Sequence, residues 1–202
     1  MIAIIDYGMG NLGSMLNMLK RIGVKACIAS DPEAIRHADK LVLPGVGAFD
    51  AAMKSINDSP GMRDVLENKA LVEKVPVLGV CLGMQLLTQS SEEGKLAGLG
   101  WIAGATNRFP RLDGLKVPQM GWNIAQPTTP SPLTIDVGNE PRYYFVHSYC
   151  VKVDDPAHSL MRCHYGIDFD ASIGKGNIYG VQFHPEKSHR FGMQILKNFA
   201  DL

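Results

Sequence analysis

Short apolar runs alternate with helix-forming segments through the first half of the chain, and this alternation limits the fold more than any other feature. Segments whose apolar residues recur at helical spacing separate the runs. Strands joined by helices pair in parallel, with helices covering both faces of the sheet. The predicted strands are residues 2–5, 26–29, 40–43 and 75–80. The predicted helices are residues 12–22, 49–74 with a break at 59–61, and 82–89.

The second half of the chain is richer in aromatic and β-branched runs, and these predict further strands. The strands are expected at 143–153, 159–164 and 178–183, with a hairpin-type turn at Asp113-Gly114, a loop at 127–132 and a closing helix around Phe191, Ile195 and Phe199. We therefore expect an open, mostly parallel α/β sheet with helices on both faces and an antiparallel extension in the second half. The length favours a single domain over residues 1–202.

Charge and hydropathy exclude several classes of function. The 20 basic residues balance the 20 acidic ones, so no net charge attracts the protein to nucleic acid or anionic lipid. No apolar run approaches the roughly 20 residues that cross a bilayer, and no secretory signal is evident. We expect a cytoplasmic protein with neither a nucleic-acid nor a membrane partner. Its 4 cysteines include no C-x-x-C pair, which argues against a metal site.

The first strand is followed by Gly8, Gly10 and Gly13, spaced as G-x-G-x-x-G. This spacing between a strand and a helix is typical of dinucleotide-binding turns, so an NAD-binding enzyme is one alternative. Asp31 lies near the position of a ribose-binding acid, but it also forms an ordinary helix start with the proline that follows it. Since the pattern is weak by itself, we interpret the segment as a glycine-rich turn between a strand and a helix.

Residues 79–83, Gly-Val-Cys-Leu-Gly, lie between an apolar strand and a helix. They match the G-x-S-x-G nucleophile elbow, with cysteine in place of serine. The flanking glycines permit a tight turn, and the start of the helix favours the thiolate of Cys81. The N–H of Leu82 is then available to a developing oxyanion. For this pentapeptide alone, a buried and unreactive cysteine is an equal alternative.

A base for this thiol is expected near the end of the chain. His184 ends an apolar strand and Glu186 follows two positions later, so an extended backbone points both side chains to the same side. Pro185 between them stiffens this geometry. A thiol nucleophile needs a base, and the base needs an orienting group. We therefore predict a catalytic triad of Cys81, His184 and Glu186.

The third strand ends in the sequence Pro-Gly-Val-Gly. Glycines let a backbone approach a substrate closely and let a peptide reorient. An ordinary turn is the alternative when this loop is taken alone. However, active sites of open α/β sheets lie at the carboxyl ends of strands, where all these segments are expected. We predict that Gly45, Val46 and Gly47, together with Leu82, supply the oxyanion donors.

The segments GVCLGMQ, VQFHPEKS and LPGVG resemble the class I, or triad, glutamine amidotransferases. The segments DYGMGNLGS, PGVGAF, PQMGWN and YYFVHSY are similar to one group within that family, the glutaminase subunits of imidazole glycerol phosphate synthases of histidine biosynthesis. The resemblance covers essentially the whole chain. A glutaminase that serves another synthase, such as pyridoxal phosphate synthase, is the alternative within the family.

The resemblance implies an enzyme that hydrolyses the side-chain amide of L-glutamine through a cysteine thioester, without a cofactor or metal. Gln85 lies one helical turn after Cys81 and is expected to contact the amino-acid end of the substrate. By the same resemblance, the backbone of Ser148 and Tyr149 binds the α-carboxylate of glutamine.

The resemblance also implies a partner that uses the ammonia. This partner is a cyclase subunit with a (β/α)8-barrel fold, and the two subunits form a heterodimer. The cyclase makes imidazole glycerol phosphate and AICAR, the aminoimidazole carboxamide ribonucleotide. Candidate interface residues are Asn11, Trp122 and Lys187, for which packing or simple exposure is the alternative.

Overall fold

The computed structural model describes residues 1–202 and contains twelve strands and six α-helices. The strands are β1 Ile2–Ile5, β2 Ala26–Ala29, β3 Lys40–Gly45, β4 Val77–Cys81, β5 Ser90–Ser91, β6 Gly104–Arg108, β7 Gln119–Pro127, β8 Arg142–His147, β9 Tyr149–Val153, β10 Ser159–Tyr165, β11 Ile167–Lys175 and β12 Ile178–Val181. The helices are α1 Leu12–Arg21, α2 Pro32–Arg36, α3 Phe49–Asp58, α4 Met62–Glu67, α5 Leu82–Leu86 and α6 His189–Asp201. None of the helices has the length and apolar content that crossing a membrane requires.

Five strands form a parallel sheet in the order β2-β1-β3-β4-β12. The expected alternation of strands and helices in the first half is therefore confirmed. The fifth strand, β12, comes from near the end of the chain and pairs in parallel with β4, with Val181 opposite Val80. The carboxyl ends of β3, β4 and β12 consequently lie side by side.

Antiparallel strands extend this sheet, as the sequence predicted, and only the two-residue β5 pairs in parallel there, with β6. Strands β11, β10, β7 and β8 continue outward from β12, and β9 pairs with both β11 and β6. The fold class is therefore a mixed α/β sheet with a parallel centre and an antiparallel extension. Helices cover both faces of this sheet, since α3 and α4 contribute to one apolar cluster and α1 and α6 to the other.

Several predicted boundaries were wrong for identifiable reasons. The predicted strand 143–153 is two strands that separate at Ser148, because β8 pairs with β7 whereas β9 pairs with β6 and β11. The turn at Asp113-Gly114 is present but closes no hairpin, since β6 and β7 on either side of it do not pair. Strands β5, β6, β7 and β11 were not predicted.

The helix after the elbow is also shorter than the predicted 82–89. Its last carbonyls bond outside the helix: Leu99 N–H donates to Leu86 O at 2.8 Å, and Ile102 N–H donates to Leu87 O at 3.1 Å. The hydroxyl of Thr88 donates a hydrogen bond to the carbonyl of Gln85 at 2.7 Å. A returning loop therefore ends α5 after Leu86.

Candidate active site

Cys81 ends β4 and immediately precedes α5, with φ 55° and ψ −111°. A non-glycine residue at positive φ is strained and persists only where its surroundings hold it. The two flanking glycines, Gly79 and Gly83, let the neighbouring backbone pack closely around Cys81. A Cβ on Gly79 would lie 2.6 Å from Gly83 O, and a Cβ on Gly83 would lie 1.7 Å from Leu43 O. The tight strand-to-helix turn expected from the sequence is thus present.

His184 lies just beyond β12, the strand beside β4, and therefore reaches the same edge of the sheet as Cys81. Its Nδ1 is 2.9 Å from Glu186 Oε1, and the two side chains are only 3% and 4% exposed. Its Nε2 is buried without a hydrogen-bond partner. Cys81 and His184 line one cleft. The structure thus brings together the three residues of the predicted triad.

The electrostatics of His184 depend on both of its neighbours. Burial alone lowers the pKa of the imidazole, but Cys81 and Glu186 outweigh this effect and raise the pKa of His184 to about 9. No hydrogen bond of ordinary geometry joins Nε2 to the protein. We attribute the raised pKa to the proximity of the Cys81 sulfur and to the hydrogen bond and charge of Glu186, which favour the protonated ring.

Ser188 secures the backbone of the histidine. Its Oγ donates to His184 O at 2.6 Å and accepts from Tyr144 N–H at 2.9 Å. The N–H of His184 donates to Tyr144 O, also at 2.9 Å. Strand β8 thereby holds the segment that carries His184. Sequence reasoning missed Ser188, although a serine four residues after the histidine was the visible signal.

The residues predicted as oxyanion donors lie close to the nucleophile. Gly45, the last residue of β3, lies opposite Cys81 in the parallel register. Val46, Gly47 and Leu82 line the cleft, whereas Gly45 lies behind it. The N–H groups of Val46 and Gly47 donate to no acceptor within the protein. Unpaired donors beside a nucleophile are what a developing oxyanion requires.

The cleft has a volume of about 390 Å³, within the range of small-molecule sites. Its lining residues are Val46, Gly47, Cys81, Leu82, Gln85, Glu93, Val146, His147, Ser148, Tyr149 and His184. A larger hollow of about 610 Å³ lies beside α6, between Asp136 and Arg190. It holds none of the predicted catalytic residues, so the smaller cleft is the candidate site.

The residues expected to bind the amino-acid end of a substrate also line this cleft. Gln85 is 5% exposed, which excludes a solvated helix position. Its Nε2 donates to Tyr149 O at 3.2 Å and to Gln182 Oε1 at 3.0 Å. The N–H of Ser148 has no acceptor within the protein. The break between β8 and β9 therefore presents a free backbone donor to the cleft.

Sequence reasoning missed Glu93, which carries a carboxylate in the cleft wall. Its Oε2 accepts from Phe49 N–H at 2.9 Å, at the start of α3, where Ala48 offers no side-chain cap. Asp50 in the same helical turn accepts from Lys95 N–H and Leu96 N–H, at distances down to 2.9 Å. Glu93 lies in an acidic stretch that resembles an exposed loop, so only the tertiary structure reveals it.

The candidate interface residues have different environments. Trp122 is 49% exposed and stacks on His189, with ring centroids 5.4 Å apart. Lys187 Nζ lies 5.8 Å from the ring centroid of Tyr144, which Trp122 contacts edge-on. Asn11 instead caps α1, since its side chain accepts from the N–H of Ser14 at 3.2 Å. Trp122 and Lys187 thus share an aromatic surface, whereas capping explains Asn11.

The early glycines have a structural explanation. Gly8 and Gly10 have φ values of 85° and 106°, which favour glycine. A Cβ on Gly10 would lie 3.3 Å from the side chain of Pro44, whereas one on Gly13 would meet open space. None of the three lines the cleft. The G-x-G-x-x-G spacing thus forms a turn that packs against the end of β3.

Comparison with known proteins identifies the family. The sequence model of the family "Glutamine amidotransferase class-I" matches residues 3–202. The chain is 50% identical, over 100% of both chains, to imidazole glycerol phosphate synthase subunit HisH 2 of Pseudomonas aeruginosa. It is 51% identical, over 98% of both chains, to the subunit of the same name from Methanococcus maripaludis.

Solved structures agree on the fold. The structure of PurLQS from Thermotoga maritima matches with a TM-score of 0.76 at 16% identity, covering 99% of this chain and 97% of that chain. This similarity supports the mixed α/β architecture. Together, the family match and the full-length relatives show that the chain belongs to the class I glutamine amidotransferases and, within them, to the HisH subunits of imidazole glycerol phosphate synthase.

Proposed function

We propose that the protein hydrolyses L-glutamine through a Cys81–His184–Glu186 triad, as the glutaminase subunit of an imidazole glycerol phosphate synthase. The observation that carries the triad is the position of His184, which shares the cleft with Cys81 and bonds Glu186 at 2.9 Å. A nucleophile, a base and an orienting carboxylate in that order form the minimal set for covalent acyl transfer. The full-length relatives support the pathway.

The first step is attack of the Cys81 sulfur on the side-chain amide carbon of glutamine. The oxyanion that forms accepts hydrogen bonds from Leu82 N–H and from the unpaired N–H groups of Val46 and Gly47. One such donor typically lowers the barrier by roughly 3 kcal/mol. The protonated imidazole of His184 then gives a proton to the departing nitrogen, so ammonia leaves and a thioester remains.

The second step is hydrolysis of the thioester. Neutral His184 removes a proton from water, the water oxygen attacks the thioester carbon, and glutamate leaves as the thiolate re-forms. Glu186 holds the imidazole throughout, because its Oε1 accepts from Nδ1 and directs Nε2 toward the sulfur. The cycle needs no cofactor or metal.

Three groups in the cleft suit the amino-acid end of glutamine. The carboxylate of Glu93 complements the α-ammonium, and the free N–H of Ser148 complements the α-carboxylate. Gln85 holds the carbonyl of Tyr149, and thereby the start of β9, in place beside them. A carboxylate at one end of the recognition site and a free N–H donor at the other favour an amino acid over a simple amide.

Ammonia released into water at neutral pH becomes ammonium, which is not a nucleophile, so the product must pass directly to a partner. We assign this role to a cyclase subunit with a (β/α)8-barrel fold in a heterodimer, which makes imidazole glycerol phosphate and AICAR. Trp122 and Lys187 are the proposed contacts, since they share an exposed aromatic surface. We further assign residues 1–202 to one glutaminase domain working in the cytoplasm.

Replacement of the nucleophile tests this function. In complex with the cyclase, Cys81→Ala should lower glutamate release at least about a thousandfold, because no thioester can form. Imidazole glycerol phosphate formation from added ammonium should continue. Cys27→Ala, at a thiol outside the cleft, is the matched control and should leave both activities unchanged.

The same assay has two contrary outcomes. Near wild-type glutamate release by Cys81→Ala would exclude the triad. An active glutaminase that never supports glutamine-dependent cyclisation would instead indicate that the subunit serves another synthase.

A further inference from the structure

Tyr7 connects the two segments on either side of the oxyanion loop, which we define as residues 45–48. It follows β1 and is buried. Its hydroxyl donates to Pro44 O at 2.6 Å, directly before the loop. Its own carbonyl accepts a hydrogen bond from the hydroxyl of Ser55 in α3, the helix that begins directly after the loop. Tyr7 therefore bonds both the end of the strand before the loop and the helix after it.

The phenol packs closely against the first peptide of the loop. A Cβ added to Gly45 would lie 2.6 Å from the Tyr7 hydroxyl oxygen, so only glycine fits between them. Because a peptide unit is planar, a bond to Pro44 O also fixes the direction of Gly45 N–H, which points away from Tyr7. Rotation within the loop is thereby confined to the peptides after Gly45. These carry the unpaired N–H groups of Val46 and Gly47.

Tyr7 does not contact the cleft. It is absent from the lining residues, so its hydroxyl touches neither substrate nor the reacting atoms. Burial, and to a smaller extent the charge of Cys81, raise the pKa of Tyr7 above its ordinary value. The phenol therefore remains protonated and continues to donate throughout the range in which a glutaminase works.

We propose that Tyr7 is a positioning residue for amide hydrolysis: its hydroxyl fixes the Pro44–Gly45 peptide, from which the next two peptides present their N–H groups to the oxyanion. This inference rests on the proposed function of the cleft. It assigns the glycine-rich segment after β1 a role in catalysis, because that segment brings Tyr7 beneath the loop. Without the hydroxyl, only the pairing with β4 restrains the Pro44–Gly45 peptide, and the donors that follow lose part of their alignment.

Tyr7→Phe isolates this hydroxyl, since it removes one oxygen and keeps the ring. In complex with the cyclase, we expect kcat for glutamine hydrolysis to fall about tenfold, part of the effect of losing an oxyanion donor outright. KM for glutamine should stay within about twofold, because the recognition groups lie elsewhere in the cleft. Tyr143→Phe is the matched control: its buried hydroxyl has no hydrogen-bond partner, so kcat should not change.

A second measurement separates positioning from general damage. Alkylation of Cys81 by iodoacetamide displaces iodide and forms no oxyanion, so its rate and pH profile should be the same in Tyr7→Phe and wild type. Mass spectrometry of the Cys81 peptide distinguishes it from the other thiols. Equal kcat values for Tyr7→Phe and Tyr143→Phe would overturn the inference, as would alkylation that slows in parallel with kcat.

Wild type and Cys81→Ala are assayed beside these variants. An inactive wild type, or an active Cys81→Ala, would show that the proposed function itself fails. If these two behave as expected, a normal Tyr7→Phe contradicts only the positioning role.

Discussion

Two buried histidines in the cleft have opposite electrostatic environments. The neighbouring charges raise the pKa of His184 to about 9. Burial lowers the pKa of His147 to about 4, although its hydrogen bond to the carbonyl of Tyr149 opposes this shift. Separated pKa values divide the work between titratable groups in one site. His184 is suited to carry protons, and His147 remains a neutral part of the wall.

The first prediction concerns these titrations. Glu186→Gln should lower the pKa of His184 below about 9, because it removes the paired charge. Asp168→Asn at the exposed His164–Asp168 pair is the matched control and should leave His184 unchanged. NMR titration of the histidine ring signals measures each value, with His184→Asn for assignment. Titration of His184 near its ordinary 6.5 in the wild type would contradict the electrostatic account.

The signs of the stability contributions differ as well. A raised folded-state pKa means that His184 stabilises the fold fully below 6.5, and that this contribution disappears as the pH rises through about 9. A lowered pKa means that the contribution of His147 is present above 6.5 and is lost as the pH falls toward 4. The free energy of unfolding, measured against pH in the wild type and in single variants of His184 and His147, should show each of these two pH dependences.

At the residue scale, the sequence predicted what short spacing encodes. The two-residue interval between His184 and Glu186 and the glycines around Cys81 could be interpreted without a structure. Ser188 acts through β8 and Glu93 through α3, and both contacts join distant segments. Such contacts leave no periodic trace in a single sequence.

At the scale of elements, close packing of the elbow helix determines which glycines matter. Helix α5 crosses directly over β3, since a Cβ on Gly83 would lie 1.7 Å from Leu43 O. Helix α1 starts differently, with open space around Gly13. The two glycines, each the second residue of its helix, therefore differ in what replacement by a larger residue would cost.

The second prediction compares these two glycines. Gly83→Ala should destabilise the protein by about 3 kcal/mol or more, because backbone atoms cannot yield to the added methyl group. Gly13→Ala should raise the free energy of unfolding by about 0.5 kcal/mol, because alanine favours the helix. Urea denaturation of both variants measures the difference. A tolerated Gly83→Ala would contradict the described turn.

The predictions of strands and helices were wrong or incomplete where a segment pairs with a different strand than its neighbour in the chain does. The first-half strands were found because helices separate them and each is a short apolar run. Strands β6 and β7 contain polar residues at exposed positions, and their partners β9, β8 and β10 lie far away in the chain. The end of α5 depends on a returning loop rather than on a local stop signal. Distant hydrogen bonds, not local propensity, set these boundaries.

At the scale of the whole molecule, one exposed aromatic surface lies near the segment that carries His184, the proposed catalytic base. Trp122, Tyr144 and His189 form it, with Lys187 over the tyrosine ring. Aromatic residues are enriched at the energetic centres of interfaces. Its proximity to the His184 segment supports the proposed transfer of ammonia to a partner subunit.

The third prediction tests that surface. Trp122→Ala should weaken binding of the cyclase subunit at least about thirtyfold, as expected for a central aromatic contact of about 2 kcal/mol. Ile135→Ala is the control. Ile135 is 55% exposed, and its carbonyl accepts from Asn198 Nδ2 near the C-terminal end of α6, away from Trp122. Titration calorimetry measures both affinities. Unchanged binding by Trp122→Ala would place the interface elsewhere.

The insertion of β12 beside β4 has a consequence for synthesis of the chain. A ribosome makes the thiol on the order of ten seconds before it makes the imidazole, at ordinary translation speeds. Until β12 docks beside β4, the Cys81 sulfur lacks its proposed base, and we expect the incomplete chain to have no glutaminase activity. The order of the strands in the chain thus delays assembly of the proposed site until synthesis is nearly complete.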